Sequence, residues 1–278
     1  MTAAAVASTI SIPTTTDGRG SSRRIVATVV PPLVFGVAFV AAWELLVKGF
    51  DLKPYFLPAP SAIWSAFVDN FTLIREAALV SGTNALVGLI AGLVLGVLAA
   101  FALMRFKILD ELATPLAVAL NAIPIVVLVS LFVNMYPATS EMPRRLMATL
   151  IVFFIVLVNV AKGLRQVQPT HLELLRSYAA SPFDVLRKAR IPNAVPYLFT
   201  AFKIAAPTSV ITAFVAEYFG GSQNGLGNRI TSNMANARNA VAWAYVLGAC
   251  LVGLTFYLVA VLLEAFTTHR RGARPGGE

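Results

Sequence analysis

Apolar residues fall in long, nearly unbroken blocks along the chain, and shorter polar segments separate the blocks. Each block meets or approaches the ~20 apolar residues with which a helix crosses a ~30 Å hydrocarbon core. The pattern therefore predicts an all-α integral membrane protein, one transmembrane domain over 23–268 between two tails, 1–22 and 269–278. The N-terminal tail lacks apolar periodicity, which is typical of disorder. The six predicted transmembrane helices cover about 25–47, 78–104, 112–134, 145–164, 194–219 and 239–266.

The first apolar block allows two interpretations, because Arg23 and Arg24 directly precede it. A cleaved signal sequence, even a twin-arginine one, begins in this way. The block is longer than the ~7–15 residues of a signal core, and further spans follow it. A retained first helix is the preferred interpretation.

Composition supports a membrane protein and narrows the chemistry. Of 278 residues, 58% are hydrophobic and 13% are charged, which is too apolar for a soluble domain. The net charge of +9 does not indicate a nucleic-acid partner, since the basic residues form no continuous stripe with interleaved aromatics. Cys250 is the only cysteine, so no intramolecular disulfide can form. His171 and His269 lack ligand-spaced companions, and no metal site is predicted.

Lysine and arginine are distributed unequally between the two sides of the membrane. With the N-terminus inside, 14 of them lie in inner segments and seven in outer segments. This excess predicts that both termini lie in the cytoplasm. Lys203 is left inside the fifth span, from which its long stem would snorkel to the inner interface. Glu44 and Glu264 lie near span ends, where we expect solvated side chains.

The outer segment 51–77 is not predicted to span the membrane, because Pro58 and Pro60 interrupt it. Ser61 is a plausible N-cap for a helix lying at the outer interface. Covering the bundle edge and docking a partner are both open as its role. Its apolar face would consist of Ile63, Trp64, Phe67 and Phe71.

Small residues recur every four positions along the second span. Such a ridge lets the backbone of another helix approach closely, which favours helix association in lipid. Asn84 on the ridge is predicted to hydrogen-bond a neighbouring helix, with a substrate contact as the alternative. The ridge consists of Asn84, Gly88, Gly92, Gly96 and Ala100.

The polar segment between the fourth and fifth spans predicts two short helices. The first would begin at Thr170 as N-cap, with Glu173 completing a capping box. The second would begin at Ser181, with Pro182 at its first helical position and Phe183 exposed. From these residues alone, a docking surface and an inert loop are equal alternatives.

This segment, 165–193, resembles the cytoplasmic EAA motif of binding-protein-dependent ABC permeases. The motif reads E-A-A, three residues, G, nine residues, then I-x-L-P, and Glu173, Ile191 and Pro192 match it at the required spacing. The sequence departs from the motif at Leu174, Leu175, Ala179 and Ala189.

Further segments are similar to the taurine/nitrate/sulfonate-type branch of that family, so the resemblance covers about 25–266. Ser81 and Gly88 match its S-L-x-R-x-x-x-G, with Asn84 in place of the usual arginine. The remaining matches are Leu57-Pro58-Ala59-Pro60-Ser61 to L-P-x-P-S, Tyr178-Ala179-Ala180-Ser181 to L-G-A-S, and Ala216-Glu217 with Gly225-Leu226-Gly227 to A-E…G-L-G.

The resemblance implies a permease-like bundle that assembles with a second permease subunit, expected to be an identical copy. It also implies ABC ATPase subunits on the cytoplasmic loops and a solute-binding protein outside. The chain lacks a G-x-x-x-x-G-K-[ST] loop, so ATP and Mg would bind the ATPase subunit, and no cofactor or catalytic residue is predicted here. The implied ATPase-coupling residues are Glu173, Ser177, Ala179, Ser181, Pro182, Phe183, Ile191 and Pro192.

Candidates for the translocation pathway are polar or helix-breaking residues within the spans. Pro124 and Pro207 remove backbone hydrogen bonds at membrane depth, and broken helices often line cavities, although plain kinks are equally common. Glu217 precedes a glycine-rich segment, which suggests a structural or gating role. The full candidate set is Asn84, Asn121, Pro124, Pro207 and Glu217.

Two other function classes are weaker. A secondary transporter or channel should show an inverted repeat or paired acids and bases in mid-membrane, and an intramembrane enzyme should show clustered Asp/His or Ser/His. Neither pattern is visible in the sequence. The scarcity of fixed mid-membrane cations favours an uncharged or zwitterionic organic solute, while sulfonate, nitrate and vitamin precursors stay open through the resemblance.

Overall fold

The computed structural model describes residues 20–105, 123–137, 139–220 and 224–272, and every regular element among them is helical. The predicted all-helical membrane fold is confirmed. The elements are α1 Gly20–Gly49, α2 Pro60–Asp69, α3 Phe71–Arg105, α4 Ile125–Met135, α5 Met142–Arg165, α6 Pro169–Ser177, α7 Pro182–Val185, α8 Ile191–Phe219, α9 Leu226–Ala235 and α10 Asn239–Gly272.

Five helices of the described residues are long and apolar enough to cross a membrane. They lie in α1, α3, α5, α10 and the continuous helix that ends with α8. The third predicted span is represented by α4, whose 11 residues extend only about 16 Å. Positions 112–122 of that span, including Asn121, lie outside the described residues.

The chain divides into two units, one ending at Leu52 and one beginning at Lys53. The first contains α1, in which Glu44 and Lys48 form an ion pair of 2.6 Å one turn apart. The second contains α2 to α10, with a core of small and branched side chains between α3, α5 and α8. Its members include Leu89, Val152, Val156, Ala201 and Ala205.

The ridge on α3 lies against α5. A Cβ built on Gly88 would be 2.3 Å from the Cβ of Ala148, and one built on Gly92 would be 2.6 Å from the Cβ of Val152. Gly96 lies equally close to Val156, one turn further on. Both helices thus repeat their contact every four residues, which is the geometry that small residues permit.

The structure corrects the predicted beginning of α2 and α3. Ala59, not Ser61, is the N-cap of α2, because Pro60 occupies the first helical position. α2 buries Ile63, Ala66 and Phe67, mainly against α10, but Trp64 is exposed and Phe71 already belongs to α3. The Phe67 ring nevertheless contacts the rings of Trp64 and Phe71, with centroids 5.8 Å and 5.9 Å apart. These three aromatic side chains therefore lie together as predicted, although Phe71 belongs to the next helix.

The segment after α5 also differs from the prediction. α6 has Gln168 as N-cap and Pro169 at its first turn, so the capping box between Thr170 and Glu173 is wrong. Ser181 caps α7 as predicted, accepting a hydrogen bond from the Asp184 amide at 3.2 Å.

α7 is not a separate helix followed by a span that starts at 194. It continues through a π-helical turn, Leu186–Arg190, into α8, so Pro182–Phe219 is one helix of 38 residues. A π turn is one way in which a helix absorbs a local break in its hydrogen-bond register. The loop segment and the fifth span are consequently one continuous element.

Candidate functional site

A buried carboxylate joins three helices at the end of α8. Ser81 on α3 donates a hydrogen bond of 2.6 Å from its hydroxyl to Oε2 of Glu217 on α8. The Gly227 amide donates to the same oxygen at 3.1 Å, and the Leu226 amide donates to Ser81 Oγ at 2.9 Å. Neither side chain is more than 1% exposed. We call Ser81, Glu217 and the first turn of α9 the latch.

The latch satisfies the free donors at the start of a helix. Leu226 and Gly227 are the first two residues of α9, and such amides have no partner within their own helix. The positive end of the helix dipole also favours a nearby carboxylate. Glu217 and Ser81 therefore supply, from α8 and α3, the cap that Gly225 cannot provide with a side chain.

Two glycines give the carboxylate its room. A Cβ at Gly225 would lie 2.2 Å from Cδ of Glu217, and a Cβ at Gly227 would lie 2.4 Å from the Phe214 carbonyl oxygen. Either side chain would separate α9 from α8. The G-L-G spacing seen in the sequence is thus explained by close packing on Glu217.

A second buried polar group lies one turn further along α3. Asn84 donates from Nδ2 to Oε2 of Glu141 at 2.6 Å and accepts a bond from Arg145 Nε at 3.0 Å. Arg144 pairs with the same Glu141 carboxylate and is only 1% exposed. The helix-contact prediction for Asn84 describes this geometry, and its partners come from the start of α5.

Arg144 lies in the first turn of α5, where its side chain is buried. Its guanidinium forms an ion pair with the Glu141 carboxylate. Buried charges are costly unless they are paired, so this ion pair must form for this end of the bundle to pack.

Two atoms of the network have no hydrogen-bond partner among the described residues, Oε1 of Glu217 and Nε of Arg144. Each retains another partner through a different atom, so neither charge is isolated. No cluster of three potential metal ligands occurs among the described residues. The arrangement is suited to holding helices together.

The structure describes four of the five predicted pathway residues, all except Asn121. Glu217 and Asn84 are buried between helices of a single subunit, whereas Pro207 is half-buried within α8. Pro124 is exposed and is the N-cap of α4. Because positions 106–122 lie outside the described residues, its role in interrupting the third span stays a prediction. Near Pro207, α8 exposes one side of the helix, which comprises Thr200, Ile204, Ile211 and Tyr218.

The second candidate site is the turn between α6 and α7, in the segment predicted to be cytoplasmic. Ala179 has φ of 52°, in the left-handed region that favours glycine. Its amide donates to the Arg176 carbonyl at 2.9 Å, and the Ala180 amide donates to the Leu175 carbonyl at 3.0 Å. These two bonds form a Schellman motif, in which glycine is usual at the position of Ala179.

Three large apolar side chains around this turn are exposed. Leu174 is 54%, Tyr178 is 76% and Phe183 is 67% accessible. Leu174 and Tyr178 lie one turn apart on the same side of α6. We call these three side chains the coupling surface. Of them, the sequence analysis had identified only Phe183.

The other predicted coupling residues lie around the same turn without forming part of that surface. Glu173 is exposed, Ser177 donates to the Leu174 carbonyl at 2.8 Å, and Ile191 and Pro192 begin α8. Pro182 occupies the first turn of α7, after the Ser181 cap.

The base of the loop is fastened to the bundle. Asn193 donates from Nδ2 to the Gly163 carbonyl at 2.7 Å and to the Gln166 carbonyl at 3.1 Å. Tyr197 donates from its hydroxyl to Oε1 of Gln166 at 2.8 Å. Gly163 lets the Tyr197 ring lie directly on α5. These contacts tie α8 to α5, and only a structure could reveal them.

Lys203 forms an interhelical ion pair with Glu264, at 2.8 Å. Both side chains are about one third exposed. Glu264 is thus partly exposed and also provides the Lys203 ammonium with a partner on α10.

Comparison with known proteins identifies the family to which the chain belongs. The family described as the inner membrane component of binding-protein-dependent transport systems matches residues 92–270. The chain belongs to this family, and the resemblance found in the sequence is confirmed.

The similarity to known permeases extends over most of this chain and most of each relative. The chain is 28% identical over 239 residues to the formylaminopyrimidine transport permease protein ThiX of Halalkalibacterium halodurans, covering 84% of this chain and 92% of the relative. It is 24% identical to the nitrate import permease protein NrtB of Leptolyngbya laminosa, covering 81% and 82%. These two confirm the branch of the family.

A solved structure supports the fold. The crystal structure of an amino acid ABC transporter aligns with a TM-score of 0.59 at 17% identity, over 71% of this chain and 95% of that one. At this identity the likeness concerns architecture. The chain is therefore a permease subunit of an ABC importer.

Proposed function

We propose that this permease works with separate ABC ATPase subunits, which bind the coupling surface and move α8 during the transport cycle. The observation that carries the proposal is the exposure of Leu174, Tyr178 and Phe183 around one hydrogen-bonded turn. Exposed apolar clusters of this kind mark interaction sites, and aromatic side chains dominate interface energies.

The helix Pro182–Phe219 connects the coupling surface directly to the latch. Pro182–Phe219 extends about 57 Å and carries Phe183 near one end and Glu217 near the other. Asn193 and Tyr197 fasten its lower part to α5, so displacement of the loop displaces the bundle with it. Force applied at the coupling surface would therefore reach the latch.

The latch is suited to the opposite side of the membrane, where a solute-binding protein would deliver its cargo. With cytoplasmic termini, α9 lies outside, and its attachment through Glu217 links that side to α8. Ser81 connects the same point to α3. A change in the angle of α8 would thus shift α9 under the docked binding protein.

We assign the translocation pathway to the exposed side of α8, where two copies of the chain would face each other. Pro207 lies on this part of the helix and weakens its hydrogen bonding locally. Among the described residues, Thr200 and Thr208 bond their own helix carbonyls and supply no charge. This surface suits a small uncharged or zwitterionic organic solute, and one relative is named for a formylaminopyrimidine.

The test replaces the two aromatic side chains of the coupling surface. The Phe183→Ala and Tyr178→Ala variants should each weaken ATPase binding, by about 1–2 kcal/mol for a buried anchor. Co-purification of the ATPase and ATP-driven uptake of the solute in proteoliposomes are the measurements. The matched control is Trp64→Ala, since Trp64 is also exposed but lies on α2.

The expected result is reduced uptake and reduced ATPase retention in both loop variants at normal permease levels. Normal coupling in both variants, with Trp64→Ala indistinguishable from them, would contradict the proposal. A further measurement is topology. Reporter fusions after Arg105 and after Arg165 should be cytoplasmic, and an external reading for the second would reverse the assigned orientation.

A further inference from the structure

An apolar groove of about 440 Å³ lies between α2, α3 and α10. Its wall on α3 runs from Phe71 to Leu86, and its wall on α10 runs from Gly248 to Phe256. The α3 wall extends about 22 Å, more than the ~15 Å depth of one leaflet of a ~30 Å core.

The groove offers almost no polar group to a solute. The Thr83 hydroxyl donates to the Leu79 carbonyl at 2.6 Å, and the Thr255 hydroxyl donates to the Leu251 carbonyl at 2.7 Å. Both hydroxyl groups therefore already have partners within their own helices. Gly82 leaves the middle of the groove open, because a Cβ there would meet only Val252, at 3.8 Å.

One charged side chain stands at the α2 end of the groove. Arg75 lines it and is exposed, and it forms no ion pair or hydrogen bond among the described residues. The neighbouring acid, Glu76, is not part of the lining. Arginine binds phosphate through a planar fork of donors, and cationic pockets between transmembrane helices bind lipid headgroups.

We propose that this groove binds one anionic phospholipid, with an acyl chain against Gly82 and the headgroup phosphate on Arg75. The groove is as long as one leaflet is deep, so it fits an acyl chain. Arg75, at the α2 end of the groove, has the charge that an anionic headgroup requires. The lipid would fill the space between α3 and α10 and so support the packing of α2. The proposal concerns a site distinct from the transport route.

The probe is 1-palmitoyl-2-oleoyl phosphatidylglycerol, added to the permease purified with its ATPase in detergent and followed by native mass spectrometry. Phosphatidylcholine with the same chains tests the role of charge. Wild type should retain one phosphatidylglycerol per permease copy and retain phosphatidylcholine more weakly.

Two variants test the acyl-chain contact and the headgroup contact separately. Gly82→Leu should fill the groove and weaken retention of both lipids about tenfold, a loss of ~1.4 kcal/mol. Arg75→Gln should weaken phosphatidylglycerol about fivefold and leave phosphatidylcholine unchanged. The controls are Gly253→Leu, at a glycine of α10 with no atom within 4 Å of its Cβ, and Arg238→Gln, an exposed arginine outside the groove.

Equal retention of phosphatidylglycerol by wild type, Gly82→Leu and Arg75→Gln would overturn the proposal. Loss of the permease–permease pair in Gly82→Leu with unchanged lipid would also overturn it, since a second copy would then occupy the groove. If Gly82→Leu does not accumulate, the test rests on Arg75→Gln. An unchanged ratio of retained phosphatidylglycerol to retained phosphatidylcholine in that variant would then overturn the proposal.

Discussion

The latch and the coupling surface lie near opposite ends of one helix and differ in how their side chains are satisfied. Glu217 and Ser81 are buried, and their hydrogen bonds end within the same chain. Tyr178 and Phe183 are apolar, exposed and without neighbours that cover them in the subunit. The first region is a contact within the subunit, whereas the second is the surface on which we propose that the ATPase binds.

This comparison makes opposite predictions for the two ends. Substitutions in the latch should lower the stability of the isolated permease, since they remove internal contacts. Substitutions on the coupling surface should leave stability unchanged and weaken only assembly with the ATPase. Stability and assembly are therefore separable readouts.

The largest expected effect is at Gly225. Gly225→Val would force a side chain into the Glu217 carboxylate, where a Cβ would already lie only 2.2 Å from Cδ. We expect loss of α9 packing and little folded permease, measured by size-exclusion profile and thermal unfolding in detergent. The matched control, Gly253→Val, has open space around its Cβ and should behave as wild type. Equal yields of both variants would show that α9 does not rest on Glu217.

A smaller loss is expected at the carboxylate itself. Glu217→Ala removes the acceptor of the Ser81 hydroxyl and of the Gly227 amide, and each buried donor left unpaired costs about 1–3 kcal/mol. Thermal unfolding should therefore occur at a clearly lower temperature than in wild type. Tyr178→Ala, at the other end, should not change that temperature. A shift of the same size in both variants would abolish the distinction between the two regions.

The latch could be predicted only in part because its partners are far apart in sequence. Glu217 and the G-L-G pattern stood out from the resemblance, but the bond to Ser81 joins residues 136 positions apart. The spacing of residues within one helix does not predict a contact between residues so far apart in the sequence. The burial of Arg144 could not be predicted for a related reason, since the sequence does not show that the start of α5 packs against α3.

Features with a local cause were predicted more successfully. The four-residue spacing of Gly88, Gly92 and Gly96 follows directly from the helical repeat, and the structure places them against α5. Ser181 was identified as a cap because its partner lies three residues away. The join between α7 and α8 was missed because Pro192 suggests a break, whereas the preceding π turn carries the helix through it.

The smallest expected effect is a gain in stability at Ala179. Ala179→Gly would relieve the left-handed backbone at φ of 52° and stabilise the turn by about 1 kcal/mol or less. The variant should retain ATPase binding, with slower hydrogen exchange at the amides of the turn. Ala180→Gly is the matched control and should not stabilise, because Ala180 has no positive φ. Faster exchange in Ala179→Gly than in wild type would contradict the assigned turn geometry.

The central claim is that the coupling surface and the latch move together through the helix Pro182–Phe219. Hydrogen exchange at the Leu226 and Gly227 amides, measured in the reconstituted importer with and without a non-hydrolysable ATP analogue, tests it most directly. The account predicts that the analogue changes exchange at these two amides in wild type and in Trp64→Ala but not in Phe183→Ala. Identical exchange with and without the analogue, in a wild-type importer that still transports, would contradict it.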